Sequence, residues 1–189
     1  MQKNHLTTDQ IIQGCRKAKS ACQKALVESY SGLLYTICLR YMGDEARAKD
    51  VLQESFIRIF KSFKSFDPNK GSLQAWMKKI TINMALKSLD KEKMPMTSYT
   101  IELNNNAAIQ PTAIEKMHAE DLMKVIQTLP QAYRQVFNLY VIEGYSHKEI
   151  AAMLSIEEVS SRSNLSRAKQ LLRKKLTAFK KNESWVKII

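Results

Sequence analysis

The sequence predicts an all-α protein of two small helical domains joined by a flexible linker, the C-terminal domain being a helix-turn-helix. Three observations predict it. Apolar residues recur at spacings of three and four along most of the chain, and no stretch alternates as a strand would. Gly 5 and Pro 4 in 189 residues are too few for the many turns of a β-sandwich. From about 91 to 111 the periodicity stops, and Pro95, Thr97, Ser98, Asn104, Asn105, Asn106 and Pro111 crowd together. That stretch is longer than a compact domain ordinarily holds inside itself. The domains are therefore set at 1–92 and 113–189, with the linker at 93–112.

Each element has its own signal. Residues 20–41 carry Ala25, Leu26, Ser29, Leu33, Leu34, Ile37, Cys38 and Tyr41 at helical spacing. Gly43 stops that helix and Asp44 caps the next. Residues 46–64 carry Val51, Leu52, Phe56, Ile59, Phe60 and Phe63 on one stripe. Asp67–Ser72 is a loop, and Ser72 is placed to cap a third helix over 73–89. That helix puts Leu73, Trp76, Met77, Ile80 and Met84 on one side. After the linker, Ile114, Met117, Leu122, Val125, Ile126 and Leu129 make an amphipathic helix ending at Pro130. Pro130 suits the first turn of a helix that runs through Tyr133, Val136, Phe137 and Tyr140 to Gly144. Ser146 with Glu149 has capping-box spacing. It opens a short helix that buries Ile150, Ala151 and Leu154. A break at Ser155–Glu157 precedes a last helix over about 158–180.

Charge narrows the function. The formal net charge is +12, from 30 Lys+Arg and 18 Asp+Glu. It is +8 over 1–93, −3 over 94–123 and +7 over 124–189. Two basic units on a mildly acidic tether suggest a polyanionic partner. No run of about 18 apolar residues marks a transmembrane helix, and the N-terminus lacks the apolar core of a signal peptide. Cys15, Cys22 and Cys38 are odd in number and match no zinc spacing, so they read as reduced, buried thiols of a cytoplasmic protein. No glycine-rich phosphate loop is present, and nothing assembles a nucleophile, a base and an orienting group. A binding protein without metal or cofactor is expected. His118 and His147, without sequence partners, read as surface residues.

Three faces carry candidate contacts. On the last helix, Ser161, Leu165, Ala168, Leu172, Leu176 and Phe179 form the core side. Ser160, Ser163, Arg167, Gln170 and Lys174 lie opposite. A short helix, a tight turn and a longer helix with Ser and Arg on its outer N-terminal half is a helix-turn-helix layout. Arg162 and Arg167 there can fork onto guanine, while later basic residues such as Lys174 meet phosphates. A basic membrane-surface helix is the rival, weakened by the modest apolar face. On the third helix, Trp76, Lys79, Asn83 and Lys87 stand in a row suited to unstacked nucleic acid, and burial of Trp76 in the core is the alternative. On the second helix, Asp50, Gln53, Glu54, Ile57, Arg58 and Lys61 lie opposite the stripe. An apolar Ile57 beside an acidic edge hints at a protein partner.

Residues 50–93 (DVLQESFIRIFKSFKSFDPNKGSLQAWMKKITINMALKSLDKEK) resemble region 2 of bacterial RNA polymerase sigma factors of the extracytoplasmic-function group. Residues 128–176 (beginning TLPQAYRQVFNLYVIEGYSHKEIAAMLSI) resemble their region 4. The resemblance implies a promoter-specificity subunit. Asp50, Gln53, Glu54, Ser55 and Phe56 match the box that binds the β′ clamp of core polymerase, which gives Ile57 a partner. The loop Phe66–Ser72, with Lys70, and the row Trp76, Lys79, Asn83 and Lys87 match the part that opens and reads the −10 element. Ser160, Arg162, Ser163, Ser166, Arg167, Gln170 and Lys174 fall on the reader of the −35 element, near the β flap. An anti-sigma factor is the expected regulator. The chain departs from the family pattern at Ser155 for Gly, at Glu157 and Val159 for the usual Pro and Gly, at Ser161 for an apolar residue, and at Asn164 for a basic one. Weaker packing of the last helix is expected from these. A stand-alone helix-turn-helix regulator is the alternative, but it leaves the Asp50–Phe56 box without a role.

Overall fold

The computed structural model describes residues 6–91 and 119–182, all of whose regular elements are helices. The linker at 93–112, Ile114, Met117, His118 and the Ser184–Ile189 tail lie outside the described residues.

The first unit opens with a helix that the periodicity did not reveal, α1 (Thr8–Arg16). Its signal was the capping box at Thr7 and Gln10: the Gln10 N–H donates to Thr7 Oγ1 (3.3 Å) and the Thr7 N–H to Gln10 Oε1 (2.9 Å). Ile11, Ile12 and Cys15 face inward. Gly14 is needed because a Cβ there would sit 2.0 Å from Cys22 Sγ. Next comes α2 (Ser20–Met42), closed by Gly43 in the left-handed region (φ +73°) with its N–H on Leu39 O. Asp44 caps α3 (Glu45–Ser62) by accepting from the Arg47 N–H at 2.9 Å. A 3₁₀ turn (Phe63–Ser65) and a second one (Pro68–Lys70) make the loop. The Ser72 hydroxyl then accepts from the Ala75 N–H to start α4 (Leu73–Lys91).

Helices α2, α3 and α4 share one core, with Leu26, Leu34, Ile37, Ile59, Met77, Ile82 and Leu89 almost fully enclosed. The cysteines are buried thiols, and burial pushes Cys38 up to about 12 and Cys15 to about 11. The buried surface of α4 is broader than one stripe. Leu73, Met77, Thr81, Ile82, Ala85, Leu86 and Leu89 are all inside, while Trp76, Ile80 and Met84 are only half-buried. This helix packs against both α2 and α3, so a one-sided pattern understates it.

The second unit runs α5 (Ala119–Gln127), α6 (Gln131–Phe137), a π turn (Asn138–Ile142), α7 (His147–Leu154) and α8 (Glu158–Asn182). Helix α5 lays Val125 and Ile126, with Leu129 just beyond, against Ala168 and Leu172 of α8. The capping box at Ser146 and Glu149 is present, with the Ser146 N–H donating to Glu149 Oε2 at 2.8 Å. The chain from Tyr133 to Gly144 is not one α-helix, because the π turn interrupts it.

That turn delivers Glu143 to the first unit. Its carboxylate, 4% exposed, pairs with Arg40 at the end of α2 and with Lys78 of α4 (3.2 Å). Around it, Asn138 Nδ2 donates to Arg40 O (3.2 Å), Gln127 Nε2 to Leu39 O (3.3 Å) and Gln131 Nε2 to Leu89 O (3.5 Å). Those carbonyls lie in the last turns of α2 and α4, at the negative pole of the helix dipole, and Leu39 O takes the amide beside the Gly43 N–H that it already accepts. Arg134 sits at the same place, close to Gly43, and donates to Gln127 O at 2.8 Å. Val136, Leu139, Ile150, Leu154 and Leu165 join the apolar cluster of the first unit. The two units are thus docked. Replacing Glu143 by Gln leaves Arg40 enclosed without its counter-charge, a loss of roughly 3–5 kcal/mol for a buried pair. Glu143→Gln is expected to undock the units: the radius of gyration by small-angle scattering rises while far-UV circular dichroism stays unchanged.

Candidate nucleic-acid and polymerase interface

The first surface lies on α3. Asp50, Gln53, Glu54 and Ile57 are exposed along one line, opposite buried Ala48, Val51, Ser55, Phe56 and Ile59. Ser55 stays inside by donating to Val51 O at 2.7 Å. Ile57 is 47% exposed, so an apolar residue does stand open on this polar face. Beside it runs a groove lined by Glu54, Ile57, Arg58, Lys61, Asn83, Met84 and Lys87. The fold therefore joins the acidic line of α3 to two members of the α4 row. Sequence reasoning had kept them apart and had not assigned Met84 to this face.

The second surface is the α4 row with its loop. Lys79, Asn83 and Lys87 are exposed on one stripe, and Lys70 and Ser72 are exposed in the loop. Two expected contacts differ. Phe66 is 3% exposed, and its carbonyl accepts from Arg16 Nη2 at 2.6 Å. Trp76 is half-buried against it, with ring centroids 5.2 Å apart, and meets Phe63 edge-on at 5.6 Å. Phe66 is thus a core residue anchoring the loop to α1, not a side chain offered to a base. Trp76 is mostly part of that aromatic cluster. Aromatic residue type alone does not separate a stacking platform from a packed cluster.

The third surface is the helix-turn-helix of α7 and α8. The turn holds Ser155 in the left-handed region (φ +53°, ψ +46°), where a side chain is strained and glycine is at ease. Ser161 is fully buried, and its Oγ lies 2.9 Å from His147 Nδ1. His147 also stacks on Tyr140, with centroids 4.4 Å apart. The hydroxyl at an apolar position is therefore paired, which offsets its burial. The expectation that His147 lacks partners is corrected by the same contact. Burial, then the nearby Arg162, hold the His147 imidazole below its ordinary pKa and so keep it neutral.

On α8, Arg162, Ser163, Ser166, Arg167, Gln170 and Lys174 are exposed, while Ser160 is half-buried. Arg162 is paired with Glu158 one turn earlier. Arg167 Nη1 reaches Tyr133 OH of α6 at 3.4 Å, so a neighbouring helix steers it. Sequence reasoning missed Val159, the most exposed large apolar residue among those described, at 72%. It had counted only as a departure. Among the described residues, no group of His, Cys, Asp or Glu is placed to hold a metal, and no helix is long and apolar enough to cross a membrane.

Comparison with known proteins decides the family. Sigma-70 region 2 matches residues 26–94 and sigma-70 region 4 matches residues 119–172. The chain belongs to the extracytoplasmic-function sigma factors. SigE of Mycolicibacterium smegmatis is 30% identical over 153 residues, which are 78% of this chain and 59% of SigE. SigW of Bacillus subtilis is 26% identical over 177 residues, 87% of this chain and 94% of SigW. The sigma factor thus spans about three fifths of one relative and nearly all of the other. Among solved structures, the sigma factor RpoE in complex with the anti-sigma factor NepR from Bartonella quintana shares the fold, with a TM-score of 0.52 at 19% identity. That match covers 82% of this chain and 96% of RpoE.

Relieving the strained turn of this sigma factor has a measurable effect. Ser155→Gly is expected to raise the unfolding free energy by roughly 0.5–1 kcal/mol, because glycine carries no Cβ penalty at positive φ and that gain outweighs its unfolded-state entropy. A thermal melt checks it, with the midpoint moving up by about 1–4 °C.

Proposed function

We propose that this sigma factor binds core RNA polymerase, directs it to promoters through −10 and −35 elements and assists promoter melting. The observation that carries the reading is the division of the exposed surface: an acidic, apolar-tipped line on α3 and two separate basic lines on α4 and α8. The α3 line of Asp50, Gln53, Glu54 and Ile57 meets the β′ clamp. Lys79, Asn83 and Lys87, with Lys70 and Ser72 from the loop, hold separated −10 DNA. Ser163, Ser166, Arg167, Gln170 and Lys174 enter the −35 major groove, near the β flap. The domain limits are 1–92 and 113–189, with 93–112 spanning between them. The protein works in the cytoplasm as a binding subunit without catalysis of its own. An anti-sigma factor, the kind of partner seen with Bartonella RpoE, is the proposed regulator.

The docked arrangement bears on this function. The hydrogen bonds from Ser146, with a smaller contribution from Lys79 of α4, favour Glu149 of α7 as a carboxylate. Elements named −10 and −35 lie about 25 base pairs apart, or roughly 85 Å of duplex at 3.4 Å per step. Reading both at once requires the units to part, with 93–112 as the tether.

Run-off transcription from a cognate promoter, with core polymerase and with or without the chain, tests the reading. Core-dependent, promoter-specific initiation supports it; tight duplex binding without core favours the stand-alone regulator. Two variants test the surfaces. Asp50→Ala with Glu54→Ala is expected to weaken core binding at least tenfold in a holoenzyme assembly assay, with the helical fold unchanged. Arg167→Ala is expected to cost roughly 1–3 kcal/mol on the preferred −35 sequence and much less on others. A uniform loss on all sequences makes Arg167 a phosphate contact instead.

A further inference from the structure

The exposed line of α8 begins one turn earlier than its polar residues do. Positions 159, 163, 166, 170 and 174 are spaced by four, three, four and four, so they share one side of the helix. All five are exposed, and they lie opposite buried Ser161, Leu165, Ala168 and Leu172. Val159 heads that line, one residue from the start of the helix, with 72% of its surface open. An apolar side chain held open to water gains nothing from the fold. Hydrophobic burial rewards it only against a partner. Its neighbours on the line are hydroxyl, amide and ammonium groups, which suit nucleic acid rather than an apolar protein face. In the major groove the apolar feature on a base edge is the thymine 5-methyl group. Recognition-helix N-termini are the part that reaches base edges. Glu158, whose charge would repel phosphates, is neutralised by Arg162 on the same turn.

We propose that Val159 reads a thymine methyl in the −35 element and so sets a base preference for this chain. The proposal rests on the reading of α8 as the −35 helix. The resemblance points the same way: the family usually has glycine at this place, which offers no side chain, so the preference belongs to this chain's own residue.

Holoenzyme made from the full chain and core polymerase is used to select −35 sequences from a randomised promoter library. Wild type is expected to favour thymine at one position; Val159→Ser loses that preference and keeps the others. Deoxyuridine is then placed at that thymine, which removes only the methyl. Wild-type affinity is expected to fall about 3- to 5-fold, the worth of one buried methyl, and Val159→Ser affinity is expected not to change. Val159→Ile retains the sensitivity, and thermal melts of both variants match wild type. Equal loss in wild type and Val159→Ser, or no loss in either, overturns the proposal while leaving the −35 reading intact. A wild type that selects no −35 sequence overturns both.

Discussion

Glu143 is the group on which the arrangement of this chain depends. It stands at the end of a π turn, is almost wholly enclosed, and faces a cation from each of two helices of the other unit, Arg40 and Lys78. A lone carboxylate at that depth would be strongly disfavoured. With two cations it becomes the pin that sets where the second unit sits. The amides of Gln127, Gln131 and Asn138 add direction, since each donates to a carbonyl in the last turns of α2 or α4. The apolar part, with Val136, Leu139 and Ile150, supplies area but little choice of register.

The junction is also unfinished in polar terms. Arg40 Nε, Tyr41 OH, Arg134 Nε and Asn138 Oδ1 are enclosed there without a protein hydrogen-bond partner. Burial, with Glu143 nearby, pushes the Tyr41 phenol up and keeps it neutral, and burial, with Arg47 nearby, pulls the Arg134 guanidinium down. The buried Arg134 charge works against the pin. Polar contacts between domains commonly permit relative motion, unlike a large apolar interface. Here the charged and amide contacts surround an apolar cluster shared by both units, so the junction is mixed, and in the proposed function its polar part is what parting the units must break.

Local signals in the sequence were legible because they act over few residues. Gly43, Asp44, Ser72 and the Ser146–Glu149 box each start or stop a helix through a hydrogen bond within four positions. The stripes of α3, and of α8 from Ser161 to Leu176, also read correctly, because each helix has one buried side; the Phe179 side chain lies outside the described residues. Long-range pairing was not legible. Nothing near Ser161 in sequence says that His147, fourteen residues away, satisfies it across the turn. Phe66 looks like an offered aromatic until Trp76 and Arg16 enclose it. Val159 stood in the sequence only as a departure from a usual glycine, since periodicity does not tell an exposed apolar residue at a helix start from a buried one. Only its exposure separates the two.

The electrostatics of docking and of nucleic-acid binding are opposed. Both units are strongly basic, +8 and +7 by segment, so their general fields repel, although ions screen this beyond about 8 Å at physiological salt. What remains at contact distance is local: Glu143 between Arg40 and Lys78. A phosphate bound at Lys79, as proposed for the −10 strand, adds negative charge on α4 next to Lys78, the cation that pairs with Glu143. Docking is then weakened by the ligand that the first unit holds. By linkage, docking must weaken that ligand by the same factor. The acidic side chains of the second unit thus act as an internal competitor for the basic face of the first. In the proposed function, core polymerase frees that face for promoter DNA by holding the units apart.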